Sequence, residues 1–428
     1  MHSIALPILA ISASLLISVL AYLALSAREG SLINIMTPYF VTSIPAFYLL
    51  PFAYLELFGA ETSAYSYFWV YAALAVETIC FVYVYLKTAD HLARLPGLSS
   101  YANFGLMSFL CLLAGIVIYV PVLIEFRDFL FEPRQIYMQT RTGFGAQTFV
   151  SSTLAYLAVI LILFSNRSKT AKTLTILLAT ALLLLHGSKA QVLSMGFILL
   201  LYRVYAQRRK IAFVRAVALY VIAGAVGLGL FAATMTLGED ASEMLETISE
   251  YSDYTRNAML VVDSHFPRQY GRLTLESNTL AVIPRQFMPG KPKNFGAFAL
   301  AEEFYPEWFD KDTGSPAFGV GVQYADFGPL AIVYIGLMAA LKGWLARIFV
   351  NRLKLTNHPA DFFMLIFLGD ISVFPVGVGW LLPEALLLAL LLRLLSSVGA
   401  RTAFRDTRNK ATLSQFQILN AAGGDLAR

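Results

Sequence analysis

The stretch IALPILAISASLLISVLAYLAL, Ile4 to Leu25, carries no charged side chain; its polar groups are three serines and one tyrosine. At about 1.5 Å rise per residue a helix of this length covers about 33 Å, enough to cross ~30 Å of hydrocarbon. The rest of the chain repeats the message. Of 428 residues, 58% are apolar and 14% charged, against roughly 45–50% and ~25% in soluble domains. The sequence therefore reads as an all-α, polytopic integral membrane protein.

Apolar runs near 4–25, 32–58, 63–86, 104–124, 148–165, 173–187, 190–206, 213–237, 317–346, 359–377 and 381–398 predict about eleven transmembrane helices, within a range of ten to twelve. Pro38, Pro45 and Pro51 predict a kinked or partly broken second span. Cys80 and Cys111 fall in apolar runs and read as packing residues, with no disulfide expected. The start is too long and too weakly basic for a cleaved signal peptide. Residues 1–400 form one transmembrane domain, and 401–428 a polar cytoplasmic tail.

Lys and Arg set the expected orientation. With the N-terminus periplasmic and the C-terminus cytoplasmic, the inner loops collect Arg28, Lys87, Arg94, Arg167, Lys169, Lys172, the 203–215 cluster, and Lys342, Arg347, Arg352 and Lys354. Two longer segments, 125–147 and 238–316, then fall outside. The second holds thirteen acidic and seven basic residues, so its cations are selective placements. Spacing at Met259 and Val262, and the stretch NFGAFALAEEFYPEWF from Asn294, predict short amphipathic helices that cover a site. A net charge of +5 reports inner loops here and implies no nucleic-acid partner.

Each outer segment holds a similar stretch: PRQIYMQTRTGFG (Pro133 to Gly145) and PRQFMPGKPKNFG (Pro284 to Gly296). In both, an Arg is followed after ten residues by a Gly, pairing Arg134 with Gly145 and Arg285 with Gly296. Arg presents a planar fork of donors matched to phosphate oxygens, and Gly lets backbone approach closely. Two such loops on one membrane face suit one polyanion, and outside a bacterial plasma membrane the activated anions are lipid pyrophosphates. Snorkelling of juxtamembrane cations to lipid phosphates is the plainer alternative.

These stretches, with IPRQFMPGKP (283–292), HGSKAQ (186–191) and YADFGPL (324–330), resemble the Wzy-type polymerases of O-antigen and related surface polysaccharides. The resemblance implies a fold like the C-type membrane glycosyltransferases. It also implies donor and acceptor oligosaccharides on undecaprenyl pyrophosphate, joined at the periplasmic face of the inner membrane. A chain-length regulator and a flippase of the same pathway are implied partners. Lys189 stands where the pattern calls for Arg.

Arg134, Arg141, Arg285, Lys291, Lys293 and Lys189 are the expected pyrophosphate ligands, with Arg285 and Arg134 foremost in catalysis and Gly145 and Gly296 shaping the loops. An acceptor hydroxyl needs a base or hydrogen-bond acceptor; Glu276, Asp263, His265 and Asp253 are the candidates. Asp310 and Asp312 form an Asp-x-Asp pattern read as solvated loop, and neither a metal nor another cofactor is expected. Glu77, Asp370 and Glu384 lie in apolar runs and are further candidates. An O-antigen ligase and a lipid-linked oligosaccharide flippase are the alternatives; the latter calls for a charged central path rather than cationic loops.

Overall fold

The computed structural model describes residues 5–89, 103–130, 133–140, 144–212, 214–222, 252–280, 283, 288–310, 317–368, 390 and 393. Among these the secondary structure is helical throughout. In chain order the helices are α1 (Ala5–Glu29), α2 (Thr37–Phe58), α3 (Ala64–Lys87), α4 (Phe104–Glu125), α5 (Pro133–Thr140), α6 (Gly145–Phe164), α7 (Lys169–Leu185) and α8 (Lys189–Leu201). They continue with α9 (Asp253–Asp263), α10 (Arg272–Thr279), α11 (Phe298–Phe304), α12 (Pro306–Asp310), α13 (Gly321–Phe327), α14 (Ala331–Thr356) and α15 (Pro359–Leu368).

Six described helical segments are long and apolar enough to cross a membrane: α1, α2, α3, α4, α6 and the α13–α14 run; 190–206 is a shorter apolar helix. Their outward surfaces are apolar. Leu6, Leu9, Leu16 and Leu20 are exposed along α1, and Phe109, Leu113, Val117 and Ile124 along α4. Such stripes on helices this long suit lipid, since water would penalise them. The protein is a multi-pass membrane protein. The expected spans 213–237 and 381–398 fall largely outside the described residues, as does the tail; the span expected at 359–377 is described as far as Leu368.

Two expectations shift in the structure. The second span starts at Thr37, because Asn34 and Thr37 tie the preceding turn: the Asn34 N–H donates to Thr37 Oγ1 at 2.8 Å and the Met36 N–H to Asn34 Oδ1 at 2.9 Å. It stays continuous across its prolines by widening to a π-turn at Pro45–Leu49, closed by the Leu50 N–H on the Pro45 carbonyl. Proline removes one backbone donor, and the wider turn absorbs the misfit.

The span expected at 317–346 breaks at Gly328, whose φ is +63° and which precedes Pro329. Its first part is the short helix α13, and α14 runs on to Thr356. Lys342, Arg347 and Arg352, expected in an inner loop, are buried on α14. Partners make this possible: Arg347 Nη1 lies 2.8 Å from Glu29 Oε1, and Arg352 Nε 3.0 Å from Asp361 Oδ1, which Arg393 also meets. A buried guanidinium is tolerated when a carboxylate and hydrogen bonds accompany it.

α3 and α14 form the spine. A Cβ on Gly343 would press into the Phe81 backbone, with the carbonyl carbon at 3.1 Å, and one on Gly336 would touch Val76 and Cys80 at 3.2 and 3.3 Å. Small residues let the helix backbones close together, a packing device of membrane helices. Cys80 and Cys111 are free thiols.

Contacts sort the helix ends. Glu29, Tyr85, Arg347 and Lys354 gather where α1, α3 and α14 finish, and Phe104, opening α4, meets His358 there. At the opposite end, α3 begins beside α9, and Trp69 of α3 donates to the Pro329 carbonyl. α4 finishes and α6 begins at this same end, so the 126–144 segment and helices α9–α13 share it. It is the loop end below.

Candidate functional site

The loop end is built from the long segment that precedes α14. α9 buries Ala258, Met259, Val261 and Val262 in a core shared with Val70 and Leu74 of α3, Leu300 of α11 and Tyr324 of α13. The expected amphipathic helices thus pack on the bundle end. Gly321 permits the closest approach: a Cβ there would lie 2.8 Å from Ala258 Cα.

Asp326 organises the next layer. It is fully buried. Its two carboxylate oxygens accept from the Leu273 and Thr274 N–H groups at 3.0 and 2.7 Å, capping α10 from a distant part of the chain. Free N–H groups and the helix dipole both favour a carboxylate in that position. Gln269 and Tyr270 N–H groups donate to the Ala325 and Asp326 carbonyls. Arg268 donates to the Tyr324 carbonyl at 2.6 Å and fills the space a side chain on Gly328 would take. YADFG is therefore a clamp on α10. The sequence signal is an acid next to a Phe-Gly break, which in the sequence carries only the family resemblance.

α10 in turn fixes the second Arg–Gly stretch. Glu276 Oε2 accepts from the Gly296 N–H at 2.8 Å, and Ser277 Oγ from the Ala297 N–H at 3.2 Å. Gly296 has φ +57°, and a Cβ would come within 2.8 Å of the Ser277 N. Lys291 is buried; its Nζ donates to the Ile283 carbonyl at 3.1 Å and lies 4.2 Å from the Phe295 ring centre. Lys293 is exposed. Arg285 lies outside the described residues.

The first stretch is built differently. Arg134 is the second residue of α5, and Arg141 lies outside the described residues. Gly145 opens α6, and a Cβ there would meet nothing within 4 Å. Lys189 opens α8 beside a buried link: His186 Nε2 lies 3.1 Å from Ser151 Oγ and its Nδ1 3.1 Å from Gln191 Oε1. Those bonds pin the HGSKAQ turn to α6.

The four candidate acceptors divide. Asp263 takes two bonds of 2.6 Å from the N–H and Oγ of Ser63, tying α9 to the start of α3. Glu276 holds the Gly296 turn and lies 3.7 Å from Arg272 Nε. His265 is exposed between α9 and α10. Asp253 is half-buried at the first position of α9, where burial raises its carboxyl to about 6. Asp310 ends α12, and Glu77 is buried in α3; Asp312, Asp370 and Glu384 lie outside the described residues. Among the described residues no three His, Cys, Asp or Glu side chains gather in a way that could hold a metal.

A multi-pass helical bundle with the short helices α9–α13 gathered at one end defines a polytopic, all-helical membrane protein. Relatives give the class its name. The chain is 35% identical over 376 residues to the O-antigen polymerase of Salmonella typhimurium (strain LT2), covering 87% of this chain and 91% of that one. The same figures hold for the O-antigen polymerase of Salmonella typhi. No family model matches, and no solved structure matches. The chain belongs to the O-antigen polymerase family, a glycosyltransferase-type family of polymerases. With its apolar helices this makes it a multi-pass protein of the bacterial inner membrane.

Proposed function

We propose that this chain joins undecaprenyl-pyrophosphate-linked repeat units into O-antigen or a related surface polysaccharide at the loop end of the bundle, turned to the periplasm. A hydroxyl oxygen of the acceptor unit attacks the donor's anomeric carbon. The bond from that carbon to the pyrophosphate oxygen breaks, and negative charge grows on the departing lipid pyrophosphate. Preorganised cations aimed at that charge supply most of the rate, each worth about 10²–10³-fold. The ligands are Arg285, Lys291 and Lys293 on one segment, and Arg134, Arg141 and Lys189 on the other.

The observation that carries the reading is the gathering of both segments at one end of the bundle, with Gly296 and Lys291 fixed in place by α10 and the 283–295 loop. A flippase calls instead for a charged path through the bundle. Two buried charges of α14, Arg347 and Arg352, are paired with Glu29 and Asp361 at the other end. A chain-length regulator and a flippase of the same pathway complete the proposed partners.

The test is Arg285→Ala and Arg285→Lys in membranes at matched protein levels, read as glycan ladders. Ala removes polymerisation. Lys keeps the charge but loses the two-pronged hydrogen bond, so activity returns only in part. Ladders of normal length from Arg285→Lys would refute a pyrophosphate grip in favour of simple seating at headgroups.

A further inference from the structure

The fold uses three described carboxylates of the loop end as ties: Asp263 for α3, Glu276 for Gly296 and Asp326 for α10. One cluster is arranged otherwise. Asp253, Arg256 and Asn257 occupy positions i, i+3 and i+4 of α9, which places them on one face. Arg256 lies flat on Tyr54, 3.7 Å from the ring centre, with its Nη2 3.2 Å from Glu61 Oε2. Glu61 Oε1 accepts from the Tyr54 hydroxyl at 2.6 Å. The Tyr305 hydroxyl donates to Asn257 Oδ1 at 2.6 Å.

The cluster remains open. Glu61 is 48% and Arg256 29% exposed, yet Arg256 Nε is buried with no hydrogen-bond partner. The Asp253 carboxylate accepts from N–H groups at the start of its own helix and feels the Arg256 charge. A buried charged donor without an acceptor is costly and calls for a partner.

We infer that Asp253, Arg256, Glu61 and Tyr305, the last held in place by the buried Asn257, form a saccharide subsite that holds one sugar of the lipid-linked glycan by its hydroxyls. This rests on the polymerase reading above. The chemistry selects the ligand. Hydroxyls both donate and accept, so they are met by acceptor-only carboxylates alternating with a donor-only guanidinium. Two carboxylates and one Arg carry a net negative charge, which repels phosphate. One of those carboxylates already faces Arg256, which leaves a poor metal site. The place also fits. Tyr305 directly follows α11, and α11 begins two residues after Gly296. That seven-residue helix is about 10 Å long, so a glycan whose pyrophosphate sits beside the Gly296 turn reaches the cluster within a short oligosaccharide.

Full-length protein in lipid nanodiscs should be titrated with the free repeat-unit oligosaccharide, lacking lipid and pyrophosphate, by ligand-observed NMR. Wild type is expected to bind in the millimolar range or better. Asp253→Asn and Glu61→Gln should each weaken binding at least tenfold with unchanged Tm or a higher one, and Tyr305→Phe about threefold. Lys291→Ala should lower polymerisation and leave saccharide binding unchanged. Equal binding by wild type and Asp253→Asn, or no binding by wild type, overturns the subsite. If Arg285→Lys polymerises normally while Asp253→Asn loses the sugar, the pyrophosphate grip fails and the subsite stands. Competition names the source of the sugar. Free saccharide competing with the single lipid-linked unit places the acceptor here, and competition with the long-chain donor places the donor.

Discussion

The stretches at 133–145 and 284–296 share their first three residues and their Arg–Gly interval, yet they fold differently. In the first, Pro133–Thr140 are helical and the glycine opens the next helix, where a Cβ would meet nothing within 4 Å. In the second, the described residues 288–296 form a loop whose glycine sits in the left-handed region, pressed on Ser277 and held by Glu276. Equal spacing between an arginine and a glycine therefore says little about backbone shape. What the two stretches have in common is the end of the bundle they occupy.

The sharpest way to break the comparison is at the glycines. Gly296→Ala must hold a side chain at φ +57°, which costs about 1–2 kcal/mol before any clash; Ser277 adds that clash. Polymerisation should fall more than tenfold in membranes, while Gly145→Ala stays within twofold. Equal losses at both positions would mean that the two glycines do the same work. A smaller effect is expected at Glu276. Glu276→Gln keeps an oxygen for the Gly296 N–H and should retain most activity, whereas Glu276→Ala should lose several-fold. A collapse of activity in the Gln variant would instead mark Glu276 as the base.

Asp253 gives a pH test. Burial raises its carboxyl from 3.8 to about 6, against the pull of Arg256; Tyr305 also lies within its field, and Glu61 pairs with Arg256. The ionised form is the acceptor, so saccharide binding should fall as pH drops through about 6, and Asp253→Asn should flatten that dependence. Stability has the opposite sign. A raised pKa means that the folded state favours the neutral carboxyl, so this group's contribution improves as pH falls from about 6 toward 4. At pH 7 Asp253→Asn should therefore gain on the order of 1 kcal/mol in stability, read as a small rise in Tm. Of the two lysines, Lys293→Gln, at an exposed site, should lose less activity than Lys291→Gln, which also removes the contacts to Ile283 and Phe295.

Much of the fold was legible because lipid imposes a simple rule: long apolar runs become helices. Even the prolines of α2 announced their irregularity. The limits of α14 were not legible, because Arg347 and Arg352 look like loop cations until Glu29 and Asp361 are seen beside them. Those partners lie far away in sequence or across a turn, and no local pattern encodes the pairing. For the candidate site, the sequence offers a set of cations on two segments. Asp326 and the Glu276–Gly296 bond were not legible, since a carboxylate capping a remote N–H has no spacing signature.

The crossing of α3 and α14 has a consequence for how this chain can drift in evolution. Gly343 meets the backbone of Phe81, whatever side chain that residue carries. In a library of all single substitutions, position 343 should reject nearly every change, while position 81 accepts a range of apolar residues. Two touching positions thus carry unequal histories, and covariation between them would be faint although their contact is among the tightest in the bundle.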